Sequence, residues 1–272
     1  MKKDLFHIFL YQQDILWEDP QGNCRKVESV LDKALGGQQA DIVVMPETFT
    51  TGFGDHMARQ AEAPEGPTFD FVRRLAQRYD TLVAATWTVR EQGVVYNRMH
   101  LVRPDGSYDV YDKAHTFRMS SEASQLGRGS RRPIVEWRGW HIRPAICYDL
   151  RFPLWLRNSE DFNYDLLLVC ANWPGSRHEA WSTLLKARAI ENLSYVAGCN
   201  RVGRDGTGID YAGCSMVADY KGFSMTQAEP SPDPCNPLET VLHATLQAES
   251  LERFRNHWPF NLDFDPFELT NQ

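Results

Sequence analysis

Residues 144–153 read Pro144-Ala145-Ile146-Cys147-Tyr148-Asp149-Leu150-Arg151-Phe152-Pro153. The apolar residues up to Ile146 predict a buried strand, and Pro153 stands at a position typical of the first turn of a helix. Cys147 therefore lies in a sharp turn, where backbone N–H groups and the helix N-terminus point at its side chain. Such a turn is expected to lower the pKa of the thiol and to stabilise an oxyanion. Taken alone, Cys147 also fits the commoner case of a small buried core cysteine.

Two other segments end in residues that carry chemistry. The run Asp41-Ile42-Val43-Val44-Met45-Pro46-Glu47 predicts a buried strand that ends on a carboxylate, which is costly to bury unless it is paired or used. The run Tyr108-Asp109-Val110-Tyr111-Asp112-Lys113 alternates like a strand and ends on an ammonium. A loop salt bridge for Glu47 and a solvated surface position for Lys113 are the ordinary alternatives. If the three strand ends share one sheet edge, a carboxylate, an ammonium and a thiol converge there.

These segments resemble the signature blocks of the nitrilase superfamily, carbon–nitrogen hydrolases with a Glu-Lys-Cys catalytic set. The three blocks are Pro46-Glu47, Tyr111-Asp112-Lys113-Ala114-His115 and Cys147-Tyr148-Asp149-Leu150-Arg151-Phe152-Pro153. The likeness covers nearly the whole chain and continues through Ala171-Asn172-Trp173-Pro174, Lys186-Ala187-Arg188-Ala189-Ile190-Glu191-Asn192 and Tyr195-Val196-Ala197-Gly198-Cys199-Asn200-Arg201-Val202-Gly203. Similarity to the omega-amidase branch rests on Phe117-Arg118-Met119, Val135-Glu136-Trp137-Arg138-Gly139-Trp140 and Glu252-Arg253-Phe254-Arg255.

The resemblance implies an α/β fold, a four-layer α-β-β-α sandwich that forms a single carbon–nitrogen hydrolase domain over residues 1–272, and a homodimer. The hydrophobic pattern agrees with an alternating α/β order without an internal repeat. Predicted strands cover residues 4–11, 41–46, 81–89, 94–103, 108–112, 133–137, 140–146, 164–171, 194–201, 211–218, 222–228 and 239–246. Predicted helices cover residues 21–36, 65–79, 153–159 and 179–192, and the proline-rich segment 229–237 predicts a surface loop.

The resemblance also implies how the residues divide the work of amide cleavage. Cys147 is expected to be the nucleophile, Glu47 the general base, and Lys113 with the backbone N–H of Tyr148 the oxyanion partners. The segment Ser120-Ser121-Glu122 matches the place of a second assisting carboxylate, with a solvated loop glutamate as the alternative for Glu122.

Substrate contacts are predicted from residues that follow the strand ends. Phe53, Phe117 and Trp173 are expected to form pocket walls. Arg177 is expected to bind the substrate's remote carboxylate, since a guanidinium can hold a carboxylate through two hydrogen bonds. An exposed loop arginine would explain the same position equally well.

Two residues of the Cys147 segment invite a structural interpretation. Asp149 and Arg151 are expected to form a salt bridge that pins the turn.

One position departs from the family pattern. The segment Tyr211-Ala212-Gly213-Cys214-Ser215 stands where the resembling proteins usually carry Gly-Asp-Ser, so Cys214 replaces a carboxylate near the rim of the site. This change puts the local hydrogen bonding in question and leaves the catalytic set intact.

Composition limits the classes of partner. The 272 residues carry a formal net charge of −7 without a basic stripe, which argues against a nucleic-acid partner. The six cysteines are widely spaced and have no nearby histidine pair, so neither zinc, another metal nor a disulfide framework is predicted, and no cofactor is expected. No apolar run reaches membrane-spanning length, and Asp4 follows Lys2-Lys3 where a signal peptide would need apolar residues. A cytoplasmic protein is therefore expected, and the resemblance implies that it is an enzyme acting on a small-molecule amide.

The leading hypothesis is an omega-amidase that hydrolyses the terminal amide of 2-oxoglutaramate or 2-oxosuccinamate through a cysteine thioester. A second hypothesis keeps the thioester but changes the substrate to a nitrile or an N-carbamoyl amine. A third hypothesis from another class is a non-catalytic thiol protein on the same fold. The loss of Glu47 or Lys113 would have favoured the third hypothesis, and both residues are present.

Overall fold

The computed structural model describes residues 2–269 and contains two six-stranded sheets. The first sheet runs in the order β14 (Thr240–Gln247), β1 (Leu5–Gln12), β2 (Ile42–Val44), β3 (Leu82–Glu91), β4 (Val94–Val102) and β5 (Tyr108–Asp112). The second runs in the order β13 (Ser224–Gln227), β12 (Met216–Ala218), β9 (Tyr195–Asn200), β8 (Leu166–Ala171), β7 (Trp140–Ile146) and β6 (Val135–Trp137). The strands β10 (Val202–Arg204) and β11 (Asp210–Ala212) form a separate hairpin.

Six α-helices complete the described chain: α1 (Pro20–Ala34), α2 (Pro67–Tyr79), α3 (Glu122–Gln125), α4 (Pro153–Leu156), α5 (His178–Asn192) and α6 (Ala248–His257). Within the described residues, no helix has both the length and the apolar character of a membrane span.

Period-2 alternation along the strands sorts the apolar side chains into layers. In β1, Phe6, Ile8 and Leu10 point into the core between the two sheets, whereas Phe9 and Tyr11 point to the outer face. Helices α1 and α2 cover that outer face, and α5 covers the outer face of the second sheet. The order helix, sheet, sheet, helix confirms the predicted α-β-β-α sandwich.

The central strands of both sheets bring the functional residues to one edge. Strands β1, β2 and β3 are parallel in the first sheet, as are β7, β8 and β9 in the second, so their carboxyl ends lie together within each sheet. The backbone N–H of Glu47, just after β2, donates to the carbonyl of Ala171 at the end of β8 (3.4 Å). This contact joins the two sheets at the edge where β7 ends before Cys147.

The predicted strand at 211–218 is wrong, because two strands of different sheets occupy that range. Strand β11 pairs with β10, and β12 joins the second sheet beside β9. Gly213 and Cys214 between them both have positive φ angles (75° and 60°), and such a backbone cannot continue a strand.

Other sequence predictions of the elements differ at helix boundaries. Helix α6 was not predicted, because β14 passes into it at Gln247 without a break, and the Gln247 side chain makes no capping bond. The helix predicted at 153–159 ends at Leu156 as a single turn. The segment 229–237 lies outside all helices and strands, as predicted.

Candidate active site

A buried lysine lies between two buried carboxylates. The Nζ atom of Lys113 is 2.8 Å from Oε1 of Glu47, and 3.0 Å and 2.9 Å from Oε1 and Oε2 of Glu122. The side chains of all three are 0–1% exposed. The structure therefore brings together the predicted lysine and both predicted carboxylates, and the alternative of a solvated loop glutamate is wrong for Glu122.

Glu47 is held rigidly where β2 ends. Its Oε2 accepts the backbone N–H of Asn172 (2.8 Å), and its backbone carbonyl accepts the Asn172 side-chain amide (2.6 Å). The next residue, Thr48, has a positive φ of 45°, so the chain turns sharply away after the carboxylate. Because Asn172 directly follows β8, its hold on Glu47 fixes the carboxylate relative to the second sheet.

Asn97 is a site residue that the sequence analysis missed. Its Nδ2 donates to Oε1 of Glu47 (2.8 Å) and to Oε1 of Glu122 (3.1 Å), and its backbone carbonyl accepts the N–H of Lys113 (2.9 Å). One residue therefore contacts all three charged residues, two through its side-chain amide and one through its backbone carbonyl. An asparagine inside the long apolar pattern of β4 was the available signal, since asparagine is depleted in strand interiors.

Cys147 occupies a strained turn directly after β7. Its φ of 46° is unusual for a residue with a side chain, and such strain is typical of an elbow that presents a nucleophile. The sulfur lies 3.9 Å from the carbonyl oxygen of Asn172, and the charges of Glu47 and Lys113 both act on the thiol. The thiol thus lies beside the carboxylate and the lysine.

The turn is held by Asp149 without Arg151, so the predicted salt bridge between them is wrong. Asp149 accepts hydrogen bonds from the N–H of Ile146 (3.0 Å), the hydroxyl of Tyr111 (2.7 Å) and the N–H of His115 (3.0 Å). Its Oδ1 also lies 2.7 Å from Nδ1 of His115. These contacts occupy both oxygens of the Asp149 carboxylate. The Arg151 guanidinium lies instead 4.8 Å from the ring centre of Trp173.

The predicted lowering of the Cys147 thiol pKa is wrong. Burial raises the pKa of this thiol well above its ordinary value, and the negative charge of Glu47 raises it further, while Lys113 only partly offsets both effects. The sequence indicated which charges come close, but the cost of desolvation depends on how completely the folded chain excludes water. The resting nucleophile is therefore a neutral thiol, which needs a base to become reactive.

Burial also affects the pKa values of Lys113 and Glu122. Burial works to lower the pKa of Lys113, but the charges of Glu122 and Glu47 outweigh it and raise that pKa. Burial also raises the pKa of Glu122 above 4.5, and Glu47 adds to the increase although Lys113 opposes it. Lys113 is therefore a permanent cation in the site.

A pocket of about 150 Å³ opens over Cys147 and Lys113. The four predicted contact residues line it, and the Arg177 guanidinium lies 5.7 Å from the ring centre of Phe117. The ring of Phe117 also meets Tyr148 edge to face at 5.1 Å. Lining residues that the sequence analysis missed are Met119, Ser120, Arg151, Asn172, Pro174, Ile209 and Tyr211.

Two arginines at the mouth of this pocket have charges that the protein does not neutralise. Arg151 and Arg177 are both exposed, and neither has a carboxylate within 4.0 Å among residues 2–269. Each lies over an aromatic ring, Trp173 and Phe117 respectively, which limits the positions of the guanidinium. The pocket can therefore offer cations to an anionic group that enters it.

Cys214 supports a wall of the pocket through its backbone. Its carbonyl accepts the indole N–H of Trp181 (2.9 Å), and Trp181 packs against Trp173 with 5.6 Å between ring centres.

Cys170 and Cys199 are buried, and burial raises the pKa of both thiols, so neither is activated. In the described range 2–269, no group of three or more His, Cys, Asp or Glu side chains is arranged to hold a metal ion.

Comparisons with known proteins give a consistent picture. The sequence profile of the carbon-nitrogen hydrolase family matches residues 8–256. The chain is 44% identical to Omega-amidase YafV of Yersinia enterocolitica, covering 96% of this chain and 97% of the relative. It is 33% identical to a 2-oxoglutaramate amidase of Bacillus subtilis, covering 78% and 82%. The crystal structure of XC1258 from Xanthomonas campestris, a CN-hydrolase superfamily protein with an arsenic adduct in its active site, superposes with a TM-score of 0.93 at 40% identity, over 98% of this chain and 100% of that chain.

Proposed function

This chain belongs to the carbon–nitrogen hydrolase family, in the omega-amidase branch of the nitrilase superfamily, and from that membership we propose that it hydrolyses the terminal amide of small 2-oxo dicarboxylic acid monoamides. The proposed substrates are 2-oxoglutaramate and 2-oxosuccinamate, and the products are the 2-oxo acid and ammonia. The observation that carries the proposal is the buried Lys113, hydrogen-bonded to Glu47 and Glu122 beside Cys147, beneath a small pocket with two unneutralised arginines.

The first half of the proposed reaction forms a thioester. Glu47 accepts the thiol proton as Sγ of Cys147 attacks the amide carbonyl, which is why a neutral resting thiol is compatible with catalysis. The oxygen of the tetrahedral intermediate is stabilised by Lys113 and by the backbone N–H of Tyr148. The C–N bond then breaks, and the nitrogen takes the proton from Glu47 and leaves as ammonia.

The second half of the reaction releases the acid. Glu47, again a carboxylate, removes a proton from water as the water oxygen attacks the thioester carbonyl. The C–S bond breaks, and the proton held by Glu47 returns to the sulfur of Cys147. One amide and one water thus become one carboxylic acid and one ammonia. Glu122 holds Lys113 in position through two hydrogen bonds during both halves.

The pocket favours a short anionic acyl chain. A cavity of about 150 Å³ admits few atoms beyond the reacting amide. The remote carboxylate can pair with Arg177, as the sequence predicted, or with Arg151, which the structure adds as a second candidate. A neutral 2-oxo group avoids placing an α-ammonium against these two cations, so 2-oxo amides should be preferred over amino acid amides.

The test of this proposal is ammonia release from a substrate panel. We expect 2-oxoglutaramate and 2-oxosuccinamate to give kcat/KM values at least about tenfold above those of glutamine and asparagine, because the α-ammonium of an amino acid repels the two arginines at a cost of more than about 1.4 kcal/mol. Arg151→Met and Arg177→Met should raise KM for the 2-oxo amides, and the larger effect identifies the arginine that binds the carboxylate.

Two further substrates in the panel separate the other hypotheses. A preference for a simple nitrile or an N-carbamoyl amino acid would contradict the omega-amidase proposal and favour the second hypothesis from the sequence. Inactivity on every substrate, with no acyl adduct on Cys147 in intact-mass analysis, would favour a non-catalytic thiol protein.

The raised pKa of Glu122 predicts the shape of the acid side of the rate profile. Because burial and the charge of Glu47 raise this pKa, Glu122 takes up its proton at a higher pH than an exposed glutamate as the pH falls. The protonated group holds Lys113 less strongly, so kcat/KM of the wild type should begin to fall above pH 4.5.

Glu122→Gln removes this titration and should therefore move the acid limb to lower pH. We expect the same variant to lower kcat by about tenfold at neutral pH, less than the roughly hundredfold minimum for removal of a general base. An unchanged acid limb in the pH profile of kcat/KM would show that Glu122 does not set it.

Four properties accompany the proposal as predictions. They are one domain over residues 1–272, a homodimer, the absence of a cofactor, and a cytoplasmic location. The homodimer and the domain assignment come from the resemblance to the family. The other two come from composition and from the spacing of the cysteines and histidines.

A further inference from the structure

Arg143 differs from the other buried arginines of this protein. Five arginine side chains are buried among residues 2–269, and four have a carboxylate within 4.0 Å. The four pairs are Arg98 with Asp112 (2.6 Å), Arg188 with Glu191 (3.0 Å), Arg201 with Asp14 (3.6 Å) and Arg255 with Asp165 (2.9 Å). Arg143 is only 3% exposed and has no such partner in the described chain. Its charge is therefore neutralised by none of the described residues.

The position of Arg143 in β7 explains its burial. The neighbouring residue Ile142 points into the core between the sheets, so Arg143 points to the opposite, outer face. It shares that face with Ala145, beneath the helical layer. Its guanidinium lies 5.7 Å from the ring centre of Tyr164, and its Nε and Nη1 have no protein acceptor within residues 2–269. An unpaired buried cation costs several kcal/mol, so a site of this kind gains stability when an anion enters.

Tyr164, which contacts Arg143, donates its hydroxyl to the carbonyl of Leu156 (2.6 Å), the residue before Arg157. Arg132 brings a second cation to this segment. Its guanidinium lies 5.6 Å from the ring centre of Trp155, and its Nη2 donates to the carbonyl of Arg157 (3.3 Å). Its Nε has no acceptor in the described chain, and it has no carboxylate within 4.0 Å there. Burial and the nearby charge of Arg132 lower the pKa of Arg143 to about 10, which leaves both guanidiniums charged at neutral pH.

We propose that Arg132 and Arg143 form a binding site for a small oxyanion, distinct from the pocket over Cys147. Three guanidinium N–H groups without a protein acceptor supply the hydrogen bonds, and two positive charges supply the electrostatic attraction. Arg132 is half-buried and therefore partly open to solvent, whereas Arg143 is buried. A phosphate group or a carboxylate has the required chemistry, since both present several charged oxygens.

The site is connected to the turn that carries the nucleophile. The indole N–H of Trp155 donates to the hydroxyl of Tyr111 (3.0 Å), which in turn donates to Asp149 (2.7 Å). Asp149 accepts the N–H of Ile146, the residue before Cys147. An anion that fixes Arg132 against Trp155 should therefore stabilise this turn and slow amide hydrogen exchange in residues 147–157.

The experiment measures thermal unfolding against inorganic phosphate, with chloride keeping the ionic strength constant. We expect the Tm of the wild type to rise by about 5 °C or more once phosphate exceeds Kd by about a hundredfold. Parallel titrations with sulfate and 2-oxoglutarate distinguish a site for tetrahedral oxyanions from one for carboxylates. The double variant Arg151→Met/Arg177→Met should keep the shift, which separates this site from the pocket over Cys147.

Two neighbouring arginines provide a matched pair of variants. Arg132→Met should weaken phosphate binding at least about tenfold, whereas Arg131→Met, the same change at an exposed neighbour, should leave the shift intact. Arg143→Met should abolish the shift and raise the Tm in chloride alone, because it removes an unpaired buried charge.

Three results would overturn the inference. One is a wild-type Tm that is the same in phosphate, sulfate and 2-oxoglutarate as in chloride alone. Another is a full phosphate shift in Arg132→Met, which tests the site even if Arg143→Met fails to fold. The third is unchanged hydrogen exchange in residues 147–157 with phosphate bound, which would disconnect the site from the nucleophile turn.

Discussion

Cys147→Ala should abolish ammonia release from 2-oxoglutaramate while leaving the protein folded. Among the described residues, Cys147 is the one cysteine that lines the pocket over Lys113, and Glu47 and Glu122 are both engaged by Lys113 and Asn97. The substitution removes one sulfur atom from a half-buried position, so no charge loses its partner and the Tm should change by only a few degrees. Steady-state kinetics and a thermal melt on the same preparation measure both quantities.

Cys24→Ala is the matched control for this loss. Cys24 is a half-buried free thiol on α1, far along the chain from the pocket, and its replacement should leave kcat within about twofold. Intact-mass analysis of quenched wild type should show an added acyl group from which ammonia has already departed. Measurable turnover by Cys147→Ala above the uncatalysed rate would remove Cys147 from the role of nucleophile.

Lys113→Met should lower kcat by about two to three orders of magnitude and also destabilise the fold. The rate falls because the oxyanion loses a charged partner. The fold loses about 3 to 5 kcal/mol because Glu47 and Glu122, both fully buried, are left without their common cation. Urea unfolding at neutral pH measures the second effect independently of the first.

The double variant Lys113→Met/Glu122→Gln separates the catalytic from the structural contribution of the lysine. Removing one of the two carboxylate charges relieves the repulsion between them, so part of the lost stability should return. The rate should not return with it, because the oxyanion partner is still missing. Recovery of kcat in the double variant would mean that Lys113 acts only by holding the carboxylates apart.

The cluster of Glu47, Lys113 and Cys147 was predictable because each member is marked by local sequence. Glu47, Lys113 and Cys147 each end an apolar or alternating run, and strand ends of parallel sheets meet at one edge. The four-layer fold followed from the same runs together with the resemblance to the family. Helix α6 escaped prediction because no breaking residue separates it from β14.

Asn97 and Asn172 escaped prediction because their roles come from distant parts of the chain. Asn97 meets Glu47 across 50 positions and Asn172 meets it across 125, and no local pattern encodes such a meeting. The exposed pocket residues Arg151 and Ile209 come together in the same way, from loops whose geometry the chain alone does not reveal.

Short-range patterns in this chain therefore set its fold class and marked Glu47, Lys113 and Cys147 as candidate site residues, because hydrophobic periodicity and strand termination are local properties. The tertiary structure decided the protonation of Cys147, the burial of Glu122, the partners of Asp149, and the absence of a carboxylate beside Arg143 among residues 2–269. These depend on the exclusion of water and on the total of surrounding charges, both of which arise only when distant segments pack together. That is why the thiol pKa predicted from the turn had the wrong sign although the turn itself was correctly identified.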